Sequence, residues 1–169
     1  MKWRLRKIET KVLRNCFGHF ATGVTIVTYK DKEGNNKGIT LNSFTSVSLD
    51  PALALISIDN KANSLDELKG NSFVINILSS DQRQLALQFA GKPQEDLMVE
   101  WEKETEYGPV LGGTLATIEC ACWAEYPGGD HTLFVGEVKD FDYTENESLI
   151  FYKGQFLQSE NNEIIKIKE

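Results

Sequence analysis

The feature that most constrains the fold is a succession of short β-branched and apolar runs joined by short polar turns. Val24, Ile26 and Thr28 alternate with Thr25, Val27 and Tyr29, as expected of one pleated strand. Asp31 to Asn36 makes a polar turn around Gly34. From Gly38 the chain reads as extended through Ile39, Leu41, Phe44, Val47 and Leu49, until Asp50 and Pro51 break it. Ala52 to Ile58 and Phe73 to Leu78 are near-continuous apolar strands, the first expected to be buried on both faces. Leu115 to Tyr126, Leu133 to Tyr143 and Leu149 to Tyr152 follow, with Pro127, Gly128, Gly129 and Asp130 turning the chain between the first two. About seven strands in this order predict a mainly β chain with flanking helices, an antiparallel barrel and not an alternating doubly wound sheet.

The helical signals are few. Leu5, Ile8, Val12, Leu13, Cys16, Phe17 and Phe20 recur at three-and-four spacing, an apolar stripe expected to pack on the sheet. Ser64 with Glu67, and Ser79 with Gln82, stand three apart as capping boxes; the second opens a helix carrying Leu85, Ala86, Leu87, Phe89 and Ala90, which Gly91 and Pro93 stop. Lys92 to Gly113 lacks periodicity and reads as a surface excursion with one helical turn, and the charged tail from Ser159 reads as frayed or partner-bound. No linker or repeat divides the 169 residues, so one domain is expected.

Charge and composition exclude several function classes. A net charge of -7 argues against nucleic acid as the main partner, because neutralising phosphates takes a concentrated basic face. No run approaches the roughly 18 apolar residues of a membrane span, and Met1 to Lys7 lacks the apolar core of a signal peptide, so a cytoplasmic protein is expected. Cys120 and Cys122 flank Ala121 in a strand and serve as small apolar fillers; with Cys16 and two histidines, His19 and His131, they offer no zinc-ligand spacing. No G-x-S-x-G, Walker or G-x-G-x-x-G motif occurs, so a dinucleotide would bind without a Rossmann turn.

Three separated motifs carry more. They are Phe20-Ala21-Thr22-Gly23-Val24-Thr25-Ile26-Val27-Thr28, then Gly38-Ile39-Thr40-Leu41-Asn42-Ser43-Phe44-Thr45-Ser46-Val47-Ser48-Leu49-Asp50-Pro51, then Gly128-Gly129-Asp130-His131-Thr132-Leu133-Phe134-Val135-Gly136-Glu137-Val138. In this order, from about Phe17 to about Phe156, the chain resembles the flavin reductase family of the FMN-binding split barrel. The resemblance implies a split β-barrel, an NADH- or NADPH-dependent reduction of FMN or FAD, a homodimer, and a monooxygenase component receiving the reduced flavin. A non-catalytic flavin carrier and another FMN split-barrel oxidoreductase, such as one like the pyridoxamine-phosphate oxidases, fit the same fold.

The residues agree physically with a flavin. An isoalloxazine ring needs polar groups along one edge and apolar cover on its faces, and the hydroxyl-rich run offers Thr40, Leu41, Asn42 and Ser43. By similarity, Ser57, Ile58 and Asp59 contact the flavin. Asn63 and Ser64 lie at or beside its phosphate, with Lys61 supplying charge at a helix start. The resemblance further implies that Phe89 and Ala90 close over the ring. His131 resembles a histidine lining the nicotinamide side, with no acid–base role assigned because hydride transfer to flavin needs none.

Overall fold

The computed structural model describes residues 8–160 and 163–166. Leu5 and the first seven residues therefore lie outside the described residues, as do parts of the tail. The chain forms α1 (Thr10–Phe17), β1 (Thr22–Gly23), β2 (Thr25–Lys30), β3 (Asn36–Leu41), β4 (Thr45–Leu49), β5 (Ala52–Asp59), α2 (Leu65–Leu68) and β6 (Phe73–Ile77). Then come α3 (Arg83–Phe89), β7 (Trp101–Thr105), β8 (Gly108–Leu111), β9 (Ala116–Gly128), β10 (His131–Tyr143), β11 (Leu149–Tyr152), β12 (Gln155–Glu160) and β13 (Glu163–Lys166).

Seven strands form one antiparallel sheet in the order β3-β2-β6-β9-β10-β5-β4. Its two outer strands, β3 and β4, are consecutive in the chain, so the corner Asn42–Phe44 joins the sheet's first edge to its last. Ser43 fastens that corner: its Oγ donates to the carbonyl of Ser57 at 2.9 Å and accepts from the Ser57 N–H at 3.0 Å. A smaller sheet, β1-β11-β12-β13, sits beside the barrel and holds the described tail residues Gln155–Glu160 and Glu163–Lys166 as paired strands, where the sequence reads as frayed or partner-bound.

Two apolar clusters explain which runs are apolar throughout. Val27, Tyr29, Ile56, Ile58, Phe73 and Phe134 fill the barrel interior, and Val24, Ile26, Leu78, Leu85, Leu111 and Leu149 pack outside it. Strand β2 lies between the clusters and is buried on both faces. Strand β5 is not: Ala54, Ile56 and Ile58 are fully buried, whereas Leu53, Leu55 and Ser57 on the other face are half-buried. That second face is free to line a site. At β10, Gly136 passes so close to its neighbours that an added Cβ would lie 2.6 Å from Cys120 Cβ and 2.8 Å from Phe73 Cζ.

Two sequence expectations are corrected here. The Lys92–Gly113 excursion contains a hairpin, β7–β8, with Val110 and Leu111 buried. Asn76 holds it: the buried amide donates to Ile26 O and Thr28 Oγ1, and its Oδ1 accepts from the Leu111 N–H at 3.0 Å. Lys103 on the hairpin pairs at 3.2 Å with Glu119, which is almost wholly buried. Helix α1, expected to pack on the sheet, buries none of its residues. The outer face of β2 is covered instead by α3 and the hairpin, through Leu85, Ala86 and Leu111.

Candidate functional site

A cleft of about 520 Å³ opens where the β3–β4 corner, the end of β5, the C-terminal turn of α3 and the β11–β12 turn meet. Its volume falls within the roughly 300–1,000 Å³ of small-molecule sites. Thr40, Leu41, Asn42 and Ser43 supply one rim and Ser57 and Asp59 the adjoining strand end; Ala90 comes from α3 and His131 from the start of β10. β-Pairing explains the convergence, because His131 lies opposite Asp59 in the β10–β5 register.

Several of these polar groups are already engaged. Thr40 Oγ1 donates to Ala86 O at 2.7 Å, tying β3 to α3, and the Ser43 hydroxyl is bonded twice to Ser57. Asp59 Oδ1 accepts from the Lys61 N–H at 2.8 Å. Asn42 makes no hydrogen bond among the described residues and lines the cleft with its amide uncommitted. His131 Nδ1 lies 2.7 Å from Asp130 Oδ1, and the neighbouring imidazole holds the Asp130 carboxyl below its ordinary value.

The remaining expected residues do not line the cleft. Ile58 points into the barrel interior and is fully buried, so its side chain is a core residue. Phe89 turns from the cleft to pack edge-on against Trp101, ring centroids 6.2 Å apart. Lys61 and Asn63 are exposed outside it, although Ala62 between them reaches in. The expected capping box at Ser64 does not form: α2 is a single turn, too short to sum an appreciable dipole, and the Ser64 hydroxyl is buried without a hydrogen-bond partner. At the second box one arm forms, Gln82 Oε1 accepting from the Ser79 N–H at 3.1 Å.

A family model described as the flavin reductase like domain matches residues 17–160. The chain belongs to the flavin reductase-like family. An NADH-dependent flavin reductase from a Rhodococcus species is 41% identical over 149 residues, covering 85% of this chain and 83% of the relative. The reductase component of a flavin-dependent trigonelline monooxygenase from Acinetobacter baylyi is 37% identical over 151 residues, 88% of this chain but 48% of that longer protein. The solved structure of flavin reductase PheA2 in its native state matches with a TM-score of 0.85 and 40% identity, over 91% of this chain and 100% of that one.

The residues of this flavin reductase-like chain fit a flavin. Val24, Ile39, Leu87, Phe151 and Phe156 give the cleft apolar walls, the β3–β4 corner a polar edge, and Lys92 a cation for a phosphate. Sequence reasoning assigned none of the apolar wall residues Val24, Ile39, Ala62 and Leu87 to the site, and it also missed Lys92, Phe151, Gly154 and Phe156. Lys92 follows Gly91 just past the end of α3 and lines the cleft. The other three come from β11–β12, which pairs with β1 through Thr22 and Phe151 and so is carried to the site by a contact remote in sequence. A larger second cleft, about 930 Å³, shares Asn42, Ser43, His131, Phe151 and Gly154 with the first, so the two form one continuous groove.

Proposed function

We propose that this protein reduces FMN or FAD with electrons from NADH and passes the reduced flavin to a separate monooxygenase, working as a homodimer. The observation that carries the reading is the cleft itself: one polar rim with an uncommitted Asn42 amide, apolar walls, a cation at one side, and a continuous opening beside His131. A bound flavin supplies the hydride-accepting chemistry. The protein's part is geometric. Thr40 and Ser43 lock the rim to α3 and β5 through their hydroxyls, so the groups facing the ring edge are held before any ligand arrives. Val24, Ile39 and Leu87 exclude water from the covered face, and His131, steadied by Asp130, borders the side from which a nicotinamide would approach.

The homodimer reading draws on surfaces that the single chain leaves bare. Ile8, Val12, Phe17 and Phe20 are 60–78% exposed along α1 and its exit, and Val47 and Leu49 are exposed on β4, an outer strand of the large sheet. Sedimentation of the purified protein is expected to give twice the 19.0 kDa chain mass; a monomer at micromolar concentration contradicts it. For the chemistry, NADH oxidation is followed with FMN, FAD and no flavin added. Flavin-dependent oxidation supports the reading, and a flavin that binds without accelerating NADH oxidation contradicts it.

A further inference from the structure

We propose that Asn60 is a positioning residue for the reductant, holding the turn that carries His131 at the mouth of the flavin cleft. The proposal rests on the flavin reductase reading and adds to it a residue that lines neither cleft. His131 follows a two-residue turn, Gly129 and Asp130, between the long strands β9 and β10. That turn has little of its own to hold it in place. Gly128 and Gly129 carry no side chains, a Cβ built on Gly129 meets nothing within 4 Å, and the Asp130 side chain is 88% exposed. The Asp130 carboxylate, 2.7 Å from His131 Nδ1, can steady the imidazole only if Asp130 is itself fixed.

Asn60 fixes it. Pairing between β5 and β10 ends at Asp59 and His131, and Asn60 is the next residue of the chain. Its N–H donates to Asp130 O at 2.9 Å. Its side-chain amide spans the turn: Nδ2 donates to Gly129 O at 3.3 Å, before His131, and Oδ1 accepts from Thr132 Oγ1 at 2.8 Å, after it. Three bonds from one residue thus bracket Asp130 and His131. A carboxamide suits both places, whereas an aspartate would set a second acceptor against Gly129 O. Asn60 is held in turn by a tight bend, in which Asp59 Oδ1 accepts from the Lys61 N–H at 2.8 Å and Asp59 O from the Ala62 N–H at 2.9 Å. The same bend carries Ala62 into the flavin cleft, so the support of His131 is continuous with a wall of the flavin site. Asn60 is exposed, so water competes for these bonds and they add little to global stability; what they supply is a fixed orientation.

Steady-state kinetics at saturating FMN test the assignment. Asn60→Ala is expected to raise the KM for NADH about three- to fivefold with FMN affinity retained, as when a ground-state contact is misplaced. Thr132→Val, which removes one of the bonds, is expected to raise it less, and Thr132→Ser, which keeps the hydroxyl, to restore it. Asn60→Ala combined with His131→Ala is expected to match His131→Ala alone, because Asn60 acts through the imidazole. A second readout needs no turnover: proton NMR of the chain's two histidines, with the His131 ring signals identified by their loss in His131→Ala. Asn60→Ala is expected to shift or broaden the His131 signals and leave those of His19 in place. An unchanged KM in Asn60→Ala, additive effects in the double variant, a fall in FMN affinity matching the rise in KM, or unaltered His131 signals overturns the proposal. Failure of the flavin reductase reading shows separately, as wild type whose NADH oxidation flavin does not accelerate, and the NMR comparison then still decides whether Asn60 holds His131.

Discussion

Ser43→Ala removes the clasp that closes the barrel at the site. The hydroxyl makes two hydrogen bonds to one residue, at 2.9 and 3.0 Å, and both Ser57 backbone groups lose their partner together. At about 1 kcal/mol net for each neutral bond in a half-buried setting, the loss amounts to about 2 kcal/mol. For a chain of this size, about 2–4 °C per kcal/mol turns that into a fall in Tm of about 4–8 °C. Asn42 and Ser57 flank the clasp and line the flavin cleft, so flavin affinity falls as well. Thermal melting by circular dichroism, with and without saturating FMN, tests both effects, and Ser43→Thr, which keeps the hydroxyl, is expected to recover most of the stability. A Ser43→Ala protein that melts within about 1 °C of wild type would refute the reasoning, because the barrel would then close without the bonds assigned to it.

Lys92→Ala is expected to weaken FMN by about tenfold while leaving riboflavin nearly unaffected, and Lys61→Ala to change neither, since Lys92 lines the cleft and Lys61 does not; parallel losses for FMN and riboflavin would remove Lys92 from the phosphate. His131→Ala should raise the KM for NADH roughly fivefold with flavin affinity retained, the effect of losing about 1 kcal/mol of ground-state contact, and unchanged steady-state kinetics would take His131 out of the site. Burial pushes the Cys120 thiol from its ordinary 9.0 up to about 12, so native protein should show Cys120 inert to thiol reagents while exposed Cys16 reacts. With the folded pKa above the unfolded one, the unfolded state loses its proton first, and this thiol's contribution to stability is full below pH 9 and declines as pH rises toward 12. Melting curves of wild type and Cys120→Ser across that range check it, a parallel course for both contradicting the assignment.

The strands were legible wherever packing repeats at the period of the pleat. β2 is buried on both faces because two clusters sandwich it, its Thr25 and Thr28 included, and the alternating burial of β5 was masked by Leu53 and Leu55, apolar residues on its half-covered face. Sequence could not give the β7–β8 hairpin, since what orders Glu102, Lys103 and Glu104 is a distant Asn76 amide and the buried Glu119, not local propensity. The stripe on α1 was read as amphipathic and expected to pack on the sheet, yet the helix buries none of its residues in the single chain; periodicity shows that a face is apolar, not what lies against it. At the site, the hydroxyl-rich run marked the β3–β4 rim by composition, and Ala90 and His131 also reach the cleft. Phe89 shows the limit: helical spacing puts it near the site, but the gap at Gly38 and the ring of Trp101 decide which way it turns.

Anaerobic spectrophotometry of the purified protein with FMN tests the central claim most directly. Addition of NADH is expected to bleach the visible absorbance of flavin in excess over protein, and admission of oxygen, the two-electron acceptor, to restore it, showing that reduced flavin is formed catalytically. Flavin that stays bound and coloured under NADH would contradict the account and identify a carrier that uses the same cleft without the reduction step.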